Sequence, residues 1–504
     1  MPAPANRLGT YLQCALTLLV LAAMYVVFEF VLPHVLPHPI HPDDYSNVSG
    51  GFADMAWRWK RPVSMNLIFA VAQFGPTAAY AVLSALAVLD AALALLFLGR
   101  MFAVRTGLLT TVVFGAIVFS HVSAFQHATY LGLLTNLISH LFGFAALFAL
   151  LRGWRAGHVP MLVLAAGAYL LSAFAKEDFL LPPLLLIAFL AFSERNRTDA
   201  PASRSVRRSR WISCLAFAAI CAGSLLWNAH VRSPFVAGLF SPTTSSAAYA
   251  VELSPRSLVG AYWTLQGAYA PFASLAALVA CAWLWISVPR LRPHVLWYLA
   301  TVAALILPYA VIPHNMPIFR TYAWLPWLGG IVAIALQVSM QRFADSTTAP
   351  RARFGIAVLS VVVATLLVWS HQAARKGVVN DYVRAAELNR RTVRTLVAQR
   401  AAVLREPAVG IVGLQDSSPW CANDAFYVNG KLGFRNKWII FVPRETACYT
   451  QQARDVAHKR GINVAVVAAA NLCGYGALPV LEYEADGSGK LGRASDYCGS
   501  NTHP

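Results

Sequence analysis

Between Tyr11 and His371 the sequence repeats one pattern, in which an apolar stretch long enough to cross a bilayer is followed by a short polar turn and then another apolar stretch. A helix needs ~20 residues to cross the hydrocarbon core, where every backbone polar group must be satisfied within the chain. About eleven stretches meet or approach that length: Tyr11–Leu32, Thr77–Leu98, Thr106–Ser123, Tyr130–Leu151, Pro160–Ala175, Phe179–Phe192, Trp211–His230, Tyr269–Val288, Val295–Ile312, Tyr322–Met340 and Phe354–His371. Those at Pro160 and Phe179 are short enough to be tilted or re-entrant. The pattern argues against a soluble fold, and 58% hydrophobic with 12% charged residues agrees. The first stretch is longer than a signal-peptide core and no small-residue cleavage site follows it, so it is read as a retained span. The expected fold is an all-α polytopic membrane bundle of about eleven transmembrane helices over residues 1–372, with a small α/β domain over 373–504.

A net charge of +18 would suit nucleic acid, but the basic residues sit in short loops between apolar stretches rather than on a patch interleaved with aromatics. They are topology signals. Lys and Arg favour cytoplasmic loops. With the N-terminus inside, the inner loops gather Arg100, Arg105, Arg152, Arg155 and the group Arg195 to Arg210, while the outer loops keep Arg58, Lys60, Arg61, Lys176, Arg232, Arg256 and Arg320. An odd number of spans then puts the C-terminal domain outside, giving an N-in/C-out bundle. Cysteine usage points the same way. Cys14, Cys214, Cys221 and Cys281 lie in apolar stretches, whereas Cys421, Cys448, Cys473 and Cys498 all lie in the polar C-terminal segment without C-x-x-C spacing. Four such residues favour two disulfides, which require an oxidising compartment. In that segment Val379 to Leu404 reads as an exposed basic helix, and Val409–Leu414, Trp438–Val442, Val464–Ala468 and Leu478–Tyr483 read as strands.

Three charged groups fall on the predicted outer face. The first is HPIHPDDYSNV, where Asp43 and Asp44 follow the first span and precede Tyr45. Adjacent carboxylates repel unless a proton or cation offsets them, and such a pair suits a general base or a divalent-cation site. A solvated Pro-rich turn is the plainer reading. Phe52 to Phe74 then mixes Trp57 and Trp59 with Arg58, Lys60 and Arg61, as an interfacial helix facing phosphates or simply anchored among headgroups would. The second group is Lys176-Glu177-Asp178 at the end of a span, where ionisable residues either line a polar cavity or snorkel. The third is PHNMPIFRTYAWLP, with Arg320 and Tyr322. An Arg fork suits a phosphate. His121, Gln126, His127, Tyr130, Asn136 and His140 add polar groups to the same face, but His121 and His127 are badly spaced for two metal ligands on one helix. Glu29 and Asp90 interrupt apolar runs and read as paired structural acids.

In order and position these motifs resemble those of the integral-membrane glycosyltransferases of the GT-C superfamily, which includes the protein O-mannosyltransferases and the lipid A aminoarabinose transferase. Asp43-Asp44-Tyr45 is similar to their acidic pair after the first span, AKEDFLLPPLLL to their Lys-Glu motif through Lys176, Glu177 and Pro182, and Arg320, Tyr322, Leu325 and Pro326 to their Arg-x-Tyr-x-x-Leu-Pro motif. The similarity covers roughly the first 340 residues. It departs from the pattern in that the second acid is Asp and an extra acid, Asp178, follows Glu177.

The resemblance implies a polyprenyl-phosphate-linked sugar as donor, inverting transfer, and a glycolipid, glycan or protein acceptor at the outer face of a bacterial inner membrane. It implies Asp43 or Asp44 as catalytic base and Arg320 with Lys176 at the donor phosphate. Tyr322, Arg58 and Arg61 are further candidates for that phosphate, with Tyr45, Glu177, Asp178 and His127 in support. A monophosphate donor needs no metal, whereas a diphosphate would bring in a divalent cation, Mg or Mn, on Asp43 and Asp44. No nucleic-acid partner is expected. Two rivals use similar membrane architectures. A lipid-linked sugar transporter or flippase would place charges near mid-membrane in two similar halves, and an O-antigen polymerase or ligase would carry Arg and His in a large late outer loop. Neither pattern is evident here.

Overall fold

The computed structural model describes residues 5–35, 61–195, 204–231, 254–312, 318–342, 349–413, 438–442, 463–484, 486 and 488–498. The helices are α1 (Ala5–Val26), α2 (Pro62–Ala72), α3 (Pro76–Met101), α4 (Leu108–Phe119), α5 (Val122–Thr129), α6 (Leu134–Ala156), α7 (Val159–Ala175), α8 (Pro182–Arg195), α9 (Arg204–Val231), α10 (Pro255–Trp263), α11 (Pro271–Ser287), α12 (Arg292–Ala310), α13 (Leu325–Arg342), α14 (Ala349–Ala398) and α15 (Arg400–Arg405). Every apolar stretch read from the sequence is helical. Among the described residues six helices are long and apolar enough to cross a membrane, or up to eight if each of two bent pairs is one span. The coarse architecture is therefore a helical bundle suited to a bilayer, with fewer full-length spans than the expected eleven.

The bends have local causes. Helix α4 stops at Ser120, and α5 leaves at 74° because His121 is extended and caps the new helix, its Nδ1 accepting from the Ser123 amide at 3.1 Å. Its other nitrogen, Nε2, donates to the Tyr269 carbonyl at 2.8 Å. A second break of 98° falls at Ala270, ahead of Pro271, which has no amide hydrogen to continue a helix. In the bundle centre Phe97, Phe144, Phe179, Trp297 and Trp327 pack ring on ring, with Phe144 5.2 Å from Phe179 and 5.7 Å from Trp327 between centroids. These large buried rings join α3, α6, α12 and α13.

One expectation changes. The region from Phe52 to Phe74 is not a surface helix where it is described: α2 buries Ser64, Met65 and Ile68, and Ser64 donates to the Ala175 carbonyl at 2.8 Å. The basic helix expected from Val379 to Leu404 is present as far as Ala398 without a break from the span before it. It continues the last apolar stretch as α14, a 50-residue helix about 75 Å long at 1.5 Å per residue. Arg375 fixes α14 to the bundle. Its guanidinium pairs with Glu29 at 2.7 Å and donates to the carbonyls of Phe119, at 2.9 Å, and Phe28. One turn or more beyond, Tyr382 and Ala386 pack on Phe125 and Val35.

The C-terminal domain is a five-stranded sheet in the order β3-β2-β1-β4-β5, with β1 (Ala408–Val412), β2 (Trp438–Val442), β3 (Asn463–Val466) and β4 (Pro479–Tyr483) parallel and β5 (Gly489–Arg493) antiparallel. Gly413 ends β1 at φ +81°, and a Cβ there would lie 2.3 Å from the Tyr483 carbonyl, so only glycine fits. Asp486 pairs with Arg391 of α14 at 2.9 Å, and Gly489 lies beside Thr395. The carboxyl ends of β1 and β4 thus lie beside α14. Cys473 and Cys498 form a disulfide, one of the two expected, while Cys421 and Cys448 lie outside the described residues.

Breaking a buried ion pair strands a charge, whereas removing both partners does not. Arg375→Met is therefore expected to lower stability by about 3–5 kcal/mol, and Glu29→Leu combined with it to recover most of that loss. Thermal unfolding of the purified protein in detergent measures both.

Candidate functional site

The polar groups collect at one end of the bundle, where α7 and α12 finish and α6, α8 and α13 begin. Tyr309, near the end of α12, is the centre. Its hydroxyl accepts from Lys176 Nζ and from Asn136 Nδ2, both at 3.2 Å. The Lys176 ammonium lies 5.3 Å and the Arg320 guanidinium 5.0 Å from the Tyr309 ring centroid, so two cations share one aromatic face system. Lys176 Nζ is also 3.1 Å from Asp178 Oδ2. Burial pushes the Lys176 ammonium down to about 8, against the pull of Asp178. Glu177 faces the other way, and Arg61 grips it in a fork with contacts of 3.0 and 3.4 Å.

Local geometry explains how Lys176-Glu177-Asp178 reaches this place. The residue after Ala175 is extended, at φ −167° and ψ 155°, which ends α7. A short 3-10 turn over Glu177–Phe179 then sends Asp178 inward and Glu177 outward. Ser139 donates to the Lys176 carbonyl at 3.0 Å, and Phe179 drops onto α6 where Gly143 has no side chain. A Cβ at Gly143 would meet the Phe179 ring at 2.2 Å.

Behind Asp178 the polar path continues into the bundle. His140 Nε2 is 4.0 Å from Asp178 Oδ2, and His140 Nδ1 is 3.1 Å from Asp90 Oδ1. Tyr322 is fully buried and donates to the Ala87 carbonyl at 3.0 Å, its ring stacked on His127 at 4.3 Å. That hydroxyl is thus engaged with the backbone. His127 Nδ1 donates to the Ser123 carbonyl at 2.9 Å.

Of the residues singled out in the sequence, Lys176, Asp178, Arg320, Glu177 and Arg61 meet around Tyr309, and Tyr322 and His127 lie beside them. Asp43, Asp44, Tyr45 and Arg58 lie outside the described residues. The chain leaves α1 at this same end, since the π turn Val27–Val31 packs on α5, which also carries the 3-10 segment Ile318–Ala323 holding Arg320. Tyr309 escaped the sequence reading, although Pro308, a proline inside α12, stands just beside it. The Asp90–His140 pair escaped because fifty residues separate its members.

Among the described residues no group of three His, Cys, Asp or Glu side chains is placed to hold a metal ion. No protein-family model and no curated protein matches the chain.

Gly143→Ala is expected to displace Phe179 and the adjoining 3-10 turn, costing about 1–3 kcal/mol as overpacking does. A Phe179→Leu change in the same chain should restore stability, read by thermal unfolding in detergent. Equal stability of Gly143→Ala and the parent would contradict the close packing.

Proposed function

We propose that this chain is a membrane glycosyltransferase of the GT-C type, which moves a sugar from a polyprenyl-phosphate donor to an acceptor on the outer face of a bacterial inner membrane. The observation that carries the reading is the meeting of Lys176 and Arg320, from motifs far apart in sequence, over one buried tyrosine at one end of an apolar bundle. Two cations there suit a phosphate, and an Arg fork suits its oxygens. In this reading the bundle has about eleven spans with the N-terminus inside, and the sheet domain is periplasmic. The disulfide between Cys473 and Cys498 supports an oxidising compartment for that domain.

The reaction is an inverting displacement. Asp43 or Asp44 takes the acceptor hydroxyl proton as the acceptor oxygen bonds to the anomeric carbon. The bond from that carbon to the phosphate oxygen breaks, and the electron pair leaves with the phosphate. Arg320 and Lys176 stabilise the charge that grows there. With a monophosphate donor no metal enters, whereas a diphosphate would call for Mg or Mn on Asp43 and Asp44. Glu177 and Arg61 hold each other across the top of α7, which keeps the Lys176 turn in place.

Sugar transfer from a polyprenyl-phosphate sugar, assayed in membranes at matched expression, tests the roles directly. Losing the essential base by Asp43→Asn or Asp44→Asn should lower the rate about 10²–10⁴-fold. Arg320→Lys should also lower it, because an ammonium does not reproduce the guanidinium fork. Full activity with both aspartates replaced would reject the catalytic assignment.

Donor binding should depend on pH in a definite direction. Lys176 loses its proton as pH rises through about 8, so affinity for the lipid phosphate should be full below that value and fall above it. Lys176→Arg should flatten the fall, because arginine keeps its charge throughout this range. Binding isotherms across the range measure both curves, and an unchanged fall in Lys176→Arg would assign it to another group.

A further inference from the structure

A cavity in the wall of the bundle takes no part in the mechanism above. It has a volume of about 220 Å³ and lies between α11, α12 and α13, where Cys281, Tyr298, Leu299, Val302, Ile306 and Leu328 line it. The polar groups along it are engaged within the protein. Tyr298 donates to the Trp327 carbonyl at 3.2 Å, Tyr262 to the Ala303 carbonyl at 2.5 Å, and Ser274 to Gln266 Oε1 at 2.5 Å. The cavity thus suits hydrocarbon better than a polar molecule. Leu278 and Leu299 at its rim are exposed, so it opens as a groove on the surface that a bilayer would cover.

Helical periodicity leads both walls of this groove to one basic corner. Arg292 lies two turns before Leu299 on the same face of α12, and Trp285 lies one turn beyond Cys281 on the same face of α11. There the walls join. The Arg292 guanidinium lies 5.6 Å from the Trp285 ring centroid, and its Nε donates to the Trp285 carbonyl at 3.1 Å. From the end of α13, Arg342 reaches the same last turn of α11 and donates to the Ser287 carbonyl. Basic side chains commonly cap a helix C-terminus in this way. A guanidinium has five N–H donors, however, so one bond to a carbonyl aims the group and leaves it able to bind an anion as well.

The charge at this corner is one-sided. Neither Asp nor Glu occurs between Ser254 and Arg342, and Arg290 adds a third exposed cation on the turn between α11 and α12. Glu194, at the neighbouring end of α8, is paired with Arg210 at 2.8 Å. Asp345 follows Arg342 in sequence and lies outside the described residues. A bias of Arg toward one membrane face accounts for cations at this level, but not for their position at the end of an apolar groove.

We propose that the groove between α11 and α12 holds one phospholipid with an anionic headgroup, its phosphate at Arg292 and Arg342 and an acyl chain along Leu299 and Val302. The lengths agree. The chains of one leaflet reach across half of a hydrocarbon core ~30 Å thick. Leu299 is about 10 Å and Val302 about 15 Å from Arg292 along α12, so a chain whose headgroup meets Arg292 enters the groove and ends near Val302. A guanidinium fork matches two phosphate oxygens, and an indole such as Trp285 favours the boundary between headgroups and chains. This corner is at the opposite end of α12 from Tyr309, so the lipid site is separate from the sugar-donor site and depends only on a bilayer around the bundle.

Native mass spectrometry of the full-length protein, released from detergent, counts the lipids it retains. Dioleoyl phosphatidylglycerol is compared with dioleoyl phosphatidylcholine, which has the same chains and a phosphate but no net charge. The first phosphatidylglycerol should be held about tenfold more tightly, as charge-assisted contacts allow. Replacing both arginines, by Arg292→Gln and Arg342→Gln, should abolish that preference and leave phosphatidylcholine binding unchanged. Leu299→Trp, which fills the groove and keeps every charge, should weaken retention of both lipids, and gives a second reading if the double variant fails to fold. Glycerol phosphate, a headgroup without chains, should not be retained. Equal retention of the two lipids by the parent protein, or an unchanged preference in the double variant, would overturn the proposal. So would retention of glycerol phosphate as tight as that of the lipid, or displacement of phosphatidylglycerol by an equal concentration of farnesol, which would assign the groove to an isoprenoid chain.

Discussion

The ion pair between Lys176 and Asp178 sets the terms for the rest of this structure. A charge taken out of water costs several kcal/mol unless a partner and hydrogen bonds offset it, and inside a bundle few partners are available. Lys176 finds three, in Asp178, the Tyr309 hydroxyl and the Tyr309 ring. Each comes with its own obligations. Tyr309 is held by Asn136, and Asp178 is held in place by a turn that Phe179 anchors onto Gly143. The aromatic stack around Phe144 and Trp327 is thus more than filler. It fixes the backbone that presents the charges, so apolar packing and polar geometry cannot be changed separately.

A second buried pair does the equivalent work at the edge of the bundle. Arg375 and Glu29 join the longest helix to the first one, and the same guanidinium caps carbonyls where α1 and α4 end. Ser120 and His371 add a 2.8 Å contact across the same seam. Because α14 runs on without a break, the position of the sheet domain is referred back to this seam. The domain touches α14 through Arg391 and Thr395, and it is the carboxyl edge of the parallel strands that lies there. Parallel sheets in this order change direction between β1 and β4, and that edge is where such sheets commonly bind ligands. A rigid helix therefore determines which edge of the sheet is carried beside the bundle.

Much of this was legible in the residues, and the parts that were not share a cause. Apolar run length located a helix at every expected stretch, because burial of backbone groups in lipid admits little else. Lys176, Asp178 and Arg320 could be picked out because an ionisable residue amid apolar sequence is conspicuous. Helix length was harder to read. Thr106–Ser123 looks like one span, yet His121 caps a new helix within it, and a cap depends on a side-chain geometry that hydropathy does not register. Val379–Leu404 changes composition but not conformation as far as Ala398, since a helix is free to cross from lipid to water without a break. Arg61 suggested a phosphate contact, and its actual partner, Glu177, is distant in sequence. Pairings of that kind depend on which helices become neighbours, and periodicity carries no information about that.

The arrangement also bears on which ligands such a site can hold. Among the described residues its carboxylates are committed, with Glu177 to Arg61, Asp178 toward Lys176 and Asp90 to His140. A cation drawn to Glu177 or Asp178 would have to break one of those pairs and leave Arg61 or Lys176 stranded. In the proposed reading an anion meets a different situation, because Lys176 and Arg320 both lie against Tyr309, a neutral phenol. Tyr309 acts as a placeholder that keeps two like charges close together at low cost, since its ring and hydroxyl offset part of their repulsion. Replacing that phenol by a carboxylate would lock the cations in a salt bridge. In the proposed reading the buried tyrosine is thus the feature that holds both cations at one place where a negatively charged ligand can meet them.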